Sequence, residues 1–368
     1  MKFTCDRDTI LREISVAQEI ISSRNSLSIL SNVLLEADNG TLVIKATDLK
    51  VGFETNVPVE VTVPGSTTVF CDKFLGILRS LPEGDVEFEL DDGQRLVIRP
   101  LFKRIDFQLK SIASEKFPEL QTIEQEAFFA FPQKDFIEMI SQTVFAVSDD
   151  ETRYFMNGVF LEQQDGKVAM VATDGRRLSY ITKPLAAESA EFPSVIIPPK
   201  VLNLVRKLSS REGDLLLAVS PKCVFIRFDN QKVSSALIEG QFPNYQKVIP
   251  ERQEYDIQVN RLEFMEALKR VSLLVEQKSR RVYLHVAENI LTVTSEESEI
   301  GVAKEELVCR YDGPETTIAL NYLYLMDPFK VMEDEEISIR FTEPNKALTI
   351  YPVPEKDFFH IVMPMQLD

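Results

Sequence analysis

The chain has 368 residues, of which 44% are hydrophobic and 27% charged, and it carries a formal charge of -17. That composition excludes disordered and fibrous classes, and the length passes the roughly 250 residues at which single cores stop growing, so two or three domains are expected. An acidic total argues against a nucleic-acid partner unless Lys and Arg gather on one surface, because phosphate binding draws on clustered cations.

The first residues, Met1 to Asp8, alternate apolar side chains with charges and lack the apolar run of about 7 to 15 residues that a signal peptide needs. No membrane span follows, so a cytoplasmic protein with no membrane partner is expected. Cys5, Cys71, Cys223 and Cys309 lie far apart without a CxxC pair, which gives neither a disulfide nor a zinc framework any spacing support.

One succession of strand, helix, hairpin, helix and hairpin occurs three times, at about 120 to 128 residues. The first copy opens at Lys2-Phe3-Thr4-Cys5 and continues into a helix with Ile10, Ile14, Ala17 and Ile21 on one face. A hairpin follows around Asp38-Asn39-Gly40, where Asn-Gly suits a type I′ turn. A second helix carries Phe74, Ile77, Leu78 and Leu81 and stops at Pro82-Glu83-Gly84, before a hairpin around Asp91-Asp92-Gly93.

The second copy opens at Phe128 to Phe131, has a helix with Phe136, Met139, Ile140 and Val144, turns at Asp165-Gly166, and has a second helix with Val201, Leu204, Val205 and Leu208. The third opens at Tyr255 to Val259, has a helix with Phe264, Ala267, Leu268 and Val271, and turns at Glu288-Asn289. Each copy reads as an α+β unit with two helices on antiparallel sheet. Each is too large to be a solenoid repeat, and domains at 1–124, 125–252 and 253–368 are expected.

Catalytic constellations are missing: there are two histidines, His285 and His360, with no P-loop, no GxGxxG and no Cys/His cluster. Asp149, Asp150 and Glu151 read as a solvated loop rather than a cation site. No enzyme, metal or cofactor is expected; a non-DNA scaffold of repeated domains is the competing binding function.

Three copies of a two-helix unit, with Arg153-Tyr154-Phe155-Met156-Asn157-Gly158, Ala172-Thr173-Asp174-Gly175-Arg176-Arg177-Leu178, Gly240 to Tyr245 and the ending Val362-Met363-Pro364-Met365, resemble the bacterial sliding clamp family, the DNA polymerase III beta subunit, across the whole chain. The resemblance implies three tandem clamp domains and a head-to-tail homodimer, whose six domains close a ring with helices facing sequence-independent duplex DNA. It implies processivity for a replicative polymerase, without chemistry. It also implies one apolar cleft that takes short peptides ending in Leu or Phe from the polymerase alpha subunit, the clamp loader, other polymerases and repair proteins.

Carried over position by position, the cleft comprises Met156, Thr173, Gly175, Arg176, Arg177, Leu178, Pro243, Lys247, Val248, Asn321, Tyr324, Val362, Met363, Pro364 and Met365. Arg24 and Tyr154 match positions that touch DNA, Lys200 more weakly, and Phe107, Leu273 and Leu274 match the dimer seam. Departures from the usual family residue stand at Phe155, Arg176, Lys247 and Gln366. The residues themselves supply a check on DNA-facing helices. Lys200, Arg206, Lys207 and Arg211 oppose only Glu212, and Arg261, Lys269, Arg270, Lys278, Arg280 and Arg281 oppose Glu263, Glu266 and Glu276. The stretch Leu323 to Glu336, expected as the last helix, is acidic and does not fit.

Overall fold

The computed structural model describes residues 1–21, 28–186 and 191–366. They form two compact units: Met1–Gln133 with Leu208–Leu237, and Lys134–Lys207 with Ile238–Asp368. The units do not coincide with the sequence repeats, because the strands of the central repeat are shared between two antiparallel sheets. Among the described residues the first unit holds a sheet of 13 strands and the second a sheet of 12.

In the first unit, helix α1 (Arg7–Ile20) is started by Asp6, whose carboxylate accepts the Thr9 N–H at 2.9 Å. Its apolar face, Ile10, Ile14 and Ala17, is fully buried and packs with α2 (Cys71–Ser80). Phe74 of α2 meets the ring of Phe88 edge-on at 6.0 Å, and Phe88 stacks on Phe3 at 4.8 Å, fastening helix to sheet. Ile77 is only half-buried and Leu75 takes the core position beside Phe74, so the buried stripe sits one residue round from the expected one.

The hairpin turns come out as their residues demand. Asn39 and Gly40 have φ of 46° and 76°, Asp165 and Gly166 50° and 71°, and Glu288 and Asn289 50° and 67°, the paired positive values of a type I′ turn. The loop after Asp91 differs: Gln94, at φ 54°, takes the left-handed position rather than Gly93, and Asp91 N–H donates to the Arg95 carbonyl at 3.0 Å.

The central repeat enters the first sheet through strand Gln231–Ala236, which pairs with Val51–Pro58 from Gln231↔Thr55 to Ser235↔Val51. A polar chain reinforces this seam. The buried carboxylate of Glu13 accepts from Thr55 Oγ1 at 3.0 Å, and Asn230 Nδ2 donates to Thr55 Oγ1 at 3.1 Å and to the Asn56 carbonyl at 2.9 Å.

The second sheet is joined in the same manner. Strand Arg177–Pro184 of the central repeat pairs with Phe358–Val362 of the third, from Arg177↔Val362 to Ile181↔Phe358. The helices here are α3 (Gln133–Thr143), which begins at the last residue of the first unit, α4 (Pro199–Leu208), α5 (Arg261–Val271) and α6 (Tyr322–Val331). Phe264 of α5 and Phe329 of α6 meet at 5.3 Å. Leu208, expected in the core, is half-buried at the end of α4.

Helix α6 corrects one expectation. It ends at Val331, so Glu333, Asp334 and Glu335 lie in the following loop and Glu336 opens a strand. Inside the helix the charges are Asp327 and Lys330, paired with each other at 3.0 Å. The acidic run belongs to a turn, and α6 itself is neutral.

Leu49 stands in the left-handed region at φ 73° and is 57% exposed. A side chain there costs roughly 1–2 kcal/mol that glycine avoids, against about 0.5–1 kcal/mol of extra chain entropy for glycine. Leu49→Gly is therefore expected to be neutral or to stabilise the first unit by up to about 1 kcal/mol, read as a higher urea midpoint; a clear drop would show that the Leu49 side chain is held by packing.

Candidate functional site

The residues expected to line a cleft all fall in the second unit, and Arg177, Leu178 and Val362 lie on the paired strands Arg177–Pro184 and Phe358–Val362. The turn before Arg177 is held by its own side chains. Thr173 Oγ1 donates to the Arg177 carbonyl at 2.6 Å and accepts from Gly175 N–H at 3.1 Å, while Asp174 Oδ1 accepts from the N–H groups of Arg176 and Arg177 at 2.9 and 3.0 Å. Gly175 sits at φ 86°, a left-handed conformation that favours glycine over any residue with a side chain.

The chain end is fastened to that turn. Met363 N–H donates to the Arg176 carbonyl and Met365 N–H to the Ala319 carbonyl, both at 2.8 Å. Met363 is 39% exposed, whereas Val362, the last residue of its strand, is buried. Pro364 and Met365 are half-buried.

Arg177 is a hub rather than a rim charge. Its guanidinium binds Asp174 at 3.1 Å, Asp327 of α6 at 2.7 Å and the Phe145 carbonyl at 2.7 Å, and it lies 4.9 Å from the Tyr324 ring centre. This uses the planar fork of arginine, which lysine lacks. Tyr324 is thereby positioned at the site, and Asn321 supplies the start of α6 by accepting Leu323 N–H at 3.0 Å.

Leu178, Phe242, Tyr245 and Ile361 belong to one buried apolar cluster, with Phe155 and Ile249 packed against it. Phe160 stacks on Phe242 at 4.7 Å. Tyr245 donates a hydrogen bond to Glu162, and burial together with that carboxylate pushes its phenol well above the usual range. Val248 and Lys247 are exposed on the short 3-10 turn Tyr245–Val248, and Pro243, two residues before Tyr245, is half-buried. Met156 is buried at the end of the segment Glu151–Met156, with its carbonyl accepting Ser148 N–H at 2.9 Å. Arg176 is exposed and Gln366 follows Met365 at the surface, so these departures alter the rim.

One supporting network was not foreseen. His360, fully buried on the cleft strand, faces Ser179 at 2.9 Å and Gln142 at 3.2 Å, and Gln142 Nε2 donates to the Val331 carbonyl at the end of α6. Its rarity as one of two histidines was the only sequence signal.

Of the positions expected near DNA, Arg24 lies outside the described residues. Tyr154 is 53% exposed and stands edge-on to Phe155 at 5.8 Å. Helix α4 carries Lys200, Arg206 and Lys207 with no acid inside it, and Arg211 lies beyond its end. Arg206 donates to Asn203 at 2.9 Å.

Helix α5 corrects the expected basic stretch. Arg261 is buried, donating to the carbonyls of Asp334 at 2.7 Å and Phe329 at 2.8 Å near the negative end of α6. Lys269 pairs with Glu266, and Arg270 makes a fork to Glu305 at 2.9 and 2.6 Å. Lys278, Arg280 and Arg281 lie outside the helix, so α5 is far less basic as a surface than the sequence count implies. Asp150 caps its own turn, and the Thr152 hydroxyl and amide, with Arg153, hold its carboxyl down to about 2. Among the described residues no three His, Cys, Asp or Glu side chains form a metal-binding group, and no helix is long and apolar enough to cross a membrane.

Phe107 opens a strand with an open edge. Strand Phe107–Ile112 pairs along one side with Arg95–Pro100, but on its other side only Ser111 and Ile112 are paired among the described residues. Strand Lys304–Arg310 is alike: its outer side is paired only at Cys309 and Arg310. Leu273 is 82% exposed, and Leu274, next to it, is half-buried.

Family models for the N-terminal, central and C-terminal domains of the DNA polymerase III beta subunit match residues 1–121, 130–244 and 246–366. The chain belongs to the DNA polymerase III beta subunit family. It is 48% identical over 372 residues to the beta sliding clamp of Treponema pallidum and 31% identical over 370 residues to that of Escherichia coli K12, covering 100% of both chains in each comparison. A solved DnaN sliding clamp from Pseudomonas aeruginosa bound to griselimycin superposes with a TM-score of 0.94 at 27% identity, and a sliding clamp from Bacillus subtilis with 0.94 at 26%, again over all of both chains. The fold is therefore that of three tandem α+β clamp domains.

Burial, and then the charge of Arg177, lower His360 from 6.5 to about 3, so the folded chain holds it neutral. A depressed histidine takes up its proton in the unfolded chain first. Its contribution is thus fully present above pH 6.5 and is lost as pH falls toward 3, at about 1.4 kcal/mol per pH unit. Urea midpoints of the native chain and of His360→Gln, compared from pH 8 to pH 4.5, are expected to run parallel above pH 7. Below pH 6.5 the native chain is expected to lose more; parallel curves throughout would refute a buried neutral His360.

Proposed function

We propose that the chain is the sliding clamp of its replication machinery: two copies close head to tail around duplex DNA and tether the replicative polymerase. The three clamp domains, meeting near residues 124 and 252, carry out no chemistry. The observation that carries this reading is the tiling of the whole chain by three clamp-domain matches, with relatives covered from end to end.

The open edges support the dimer. Backbone groups at 107–110 and 304–308 await a partner strand, and an uncovered edge of that kind is an aggregation hazard in a lone chain. Pairing 107–110 of one copy with 304–308 of the next is heterologous and closes into a ring after two copies. Phe107, Leu273 and Leu274 sit at this seam.

On DNA, Lys200, Arg206, Lys207 and Tyr154, with Arg24, touch phosphates. Such contacts position a protein without reading sequence, so they permit sliding and leave retention to topology. The bacterial cytoplasm is where this reading places the chain.

Partners bind through the second-unit seam. Leu178, Val362, Pro243 and Val248 supply apolar contact, and Met363 and Met365 adapt to different ligands through flexible thioethers. The polymerase alpha subunit, the clamp loader, other polymerases and repair proteins use this one cleft.

The reading is tested on singly nicked circular DNA loaded by the clamp loader. The native chain is expected to stay bound until the circle is linearised and then to be lost; Leu273→Asp is expected to sediment as a monomer and never to be retained. Retention on linear DNA would favour a site-specific binder, and failure to be retained on circles a scaffold. For the cleft, Met363→Ala is expected to weaken a fluorescein-labelled peptide ending in Leu-Phe at least tenfold while leaving the dimer intact; unchanged affinity would sink the assignment.

A further inference from the structure

The two seams of the chain are built on one frame. In the first, Thr47 Oγ1 donates to the Val51 carbonyl at 2.8 Å and accepts from Leu49 N–H at 3.0 Å. Asp48 Oδ1 accepts from the N–H groups of Lys50 and Val51 at 3.0 and 2.7 Å. Ala236 N–H reaches the Lys50 carbonyl at 2.8 Å, as Met363 N–H reaches Arg176. Bond for bond, this is the Thr173–Leu178 turn with its fastened strand.

Matching the positions sets Gly52 against Leu178, Leu120 against Tyr245 and Ile123 against Val248. The chemistry differs at Gly52. A Cβ there would stand 2.6 Å from Ser234 Oγ and 3.3 Å from Leu120 Cδ2, so the first seam has no counterpart to the Leu178 side chain. Beside it is a partly open pocket of about 130 Å³ with Leu120, Ile123, Phe128 and Phe225 on one side and polar groups, among them Gln121 and Arg227, on the other. A closed apolar cavity of about 150 Å³ holds a benzene ring, so the apolar side here has room for a single apolar side chain.

Two cations border the cavity, and they differ in state. Lys232 is paired with Glu54 at 2.5 Å. Arg227 lies 3.9 Å over the face of Phe128 and donates one N–H to Gln125 at 2.5 Å, with no carboxylate in ion-pair reach among the described residues. An arginine has five N–H donors, and a fork held flat against an aromatic ring is oriented for a carboxylate.

We propose that this first-seam cavity is a second docking site for partner peptides, taking one apolar side chain whose neighbouring carboxylate pairs with Arg227. The parallel with the second seam draws on the cleft reading, but the cavity and Arg227 stand without it.

The test uses a fluorescein-labelled, C-terminally amidated peptide of sequence Gly-Ser-Leu-Asp-Ser, titrated with the full chain and read by anisotropy. Saturable binding is expected, about tenfold weaker for Arg227→Gln and for the peptide with Asn in place of Asp, as a lost charge-assisted hydrogen bond implies. Met363→Ala is expected to bind the peptide as the native chain does. Ile123→Glu, which sets a competing carboxylate in the wall, is expected to abolish binding, and it decides the matter if Arg227→Gln melts early. Absence of saturable binding, equal affinity in the folded wall variants, or loss in Met363→Ala, which would put the peptide in the second seam, overturns the proposal. The Leu-Phe peptide measured in parallel reports separately on the second-seam cleft.

Discussion

Backbone hydrogen bonding across the repeat boundaries is the constraint on which the rest of the molecule depends. A strand that ends one repeat must find an N–H and C=O partner, and here it finds it in the neighbouring repeat: Ser235 beside Val51, and Val362 beside Arg177. Satisfying the ladder in this way removes edges that would otherwise be exposed. It also sets Met363 against the Thr173–Leu178 turn, through the hydrogen bond from Met363 N–H to the Arg176 carbonyl.

The charge of -17 is spread unevenly over the chain. Helix α4 carries cations without acids, whereas the acids after Val331 belong to a turn, and α6 is neutral. Cations elsewhere do structural work. Arg261 closes the end of α6, and Arg177 joins a turn, a helix and a carbonyl in one guanidinium. Counting Lys and Arg along a stretch therefore overstates the field it presents to solvent, because the count is blind to which guanidinium groups carbonyl oxygens have already claimed.

Local signals were legible and long-range ones were not. Asn39-Gly40 and Asp165-Gly166 name their turns because positive φ is a property of those residues, and the buried faces of α1, α3 and α5 follow from spacing. The end of α6 was misread because Met332 continues the apolar run into the core after the helix has stopped. Nothing near Val51 or Arg177 announces a partner strand more than 180 residues away in the chain. For the candidate site, the Thr173–Leu178 segment, Asn321 and Tyr324 were all reached through family likeness rather than from their own residues. The His360 network has no linear pattern, since its members come from α3, two strands and α6.

The shared central repeat also bears on how the chain is made. The first sheet cannot be completed until Gln231–Ala236 has left the ribosome, and the second waits for Phe358–Val362, the last strand among the described residues. Closing loops of that length before the ladder forms is slow, and synthesis at roughly 5–20 residues per second leaves the edge of Val51–Pro58 uncovered for many seconds. Nascent chains are thus at their most vulnerable to mispairing midway through translation, and escort by a chaperone matters most in that interval.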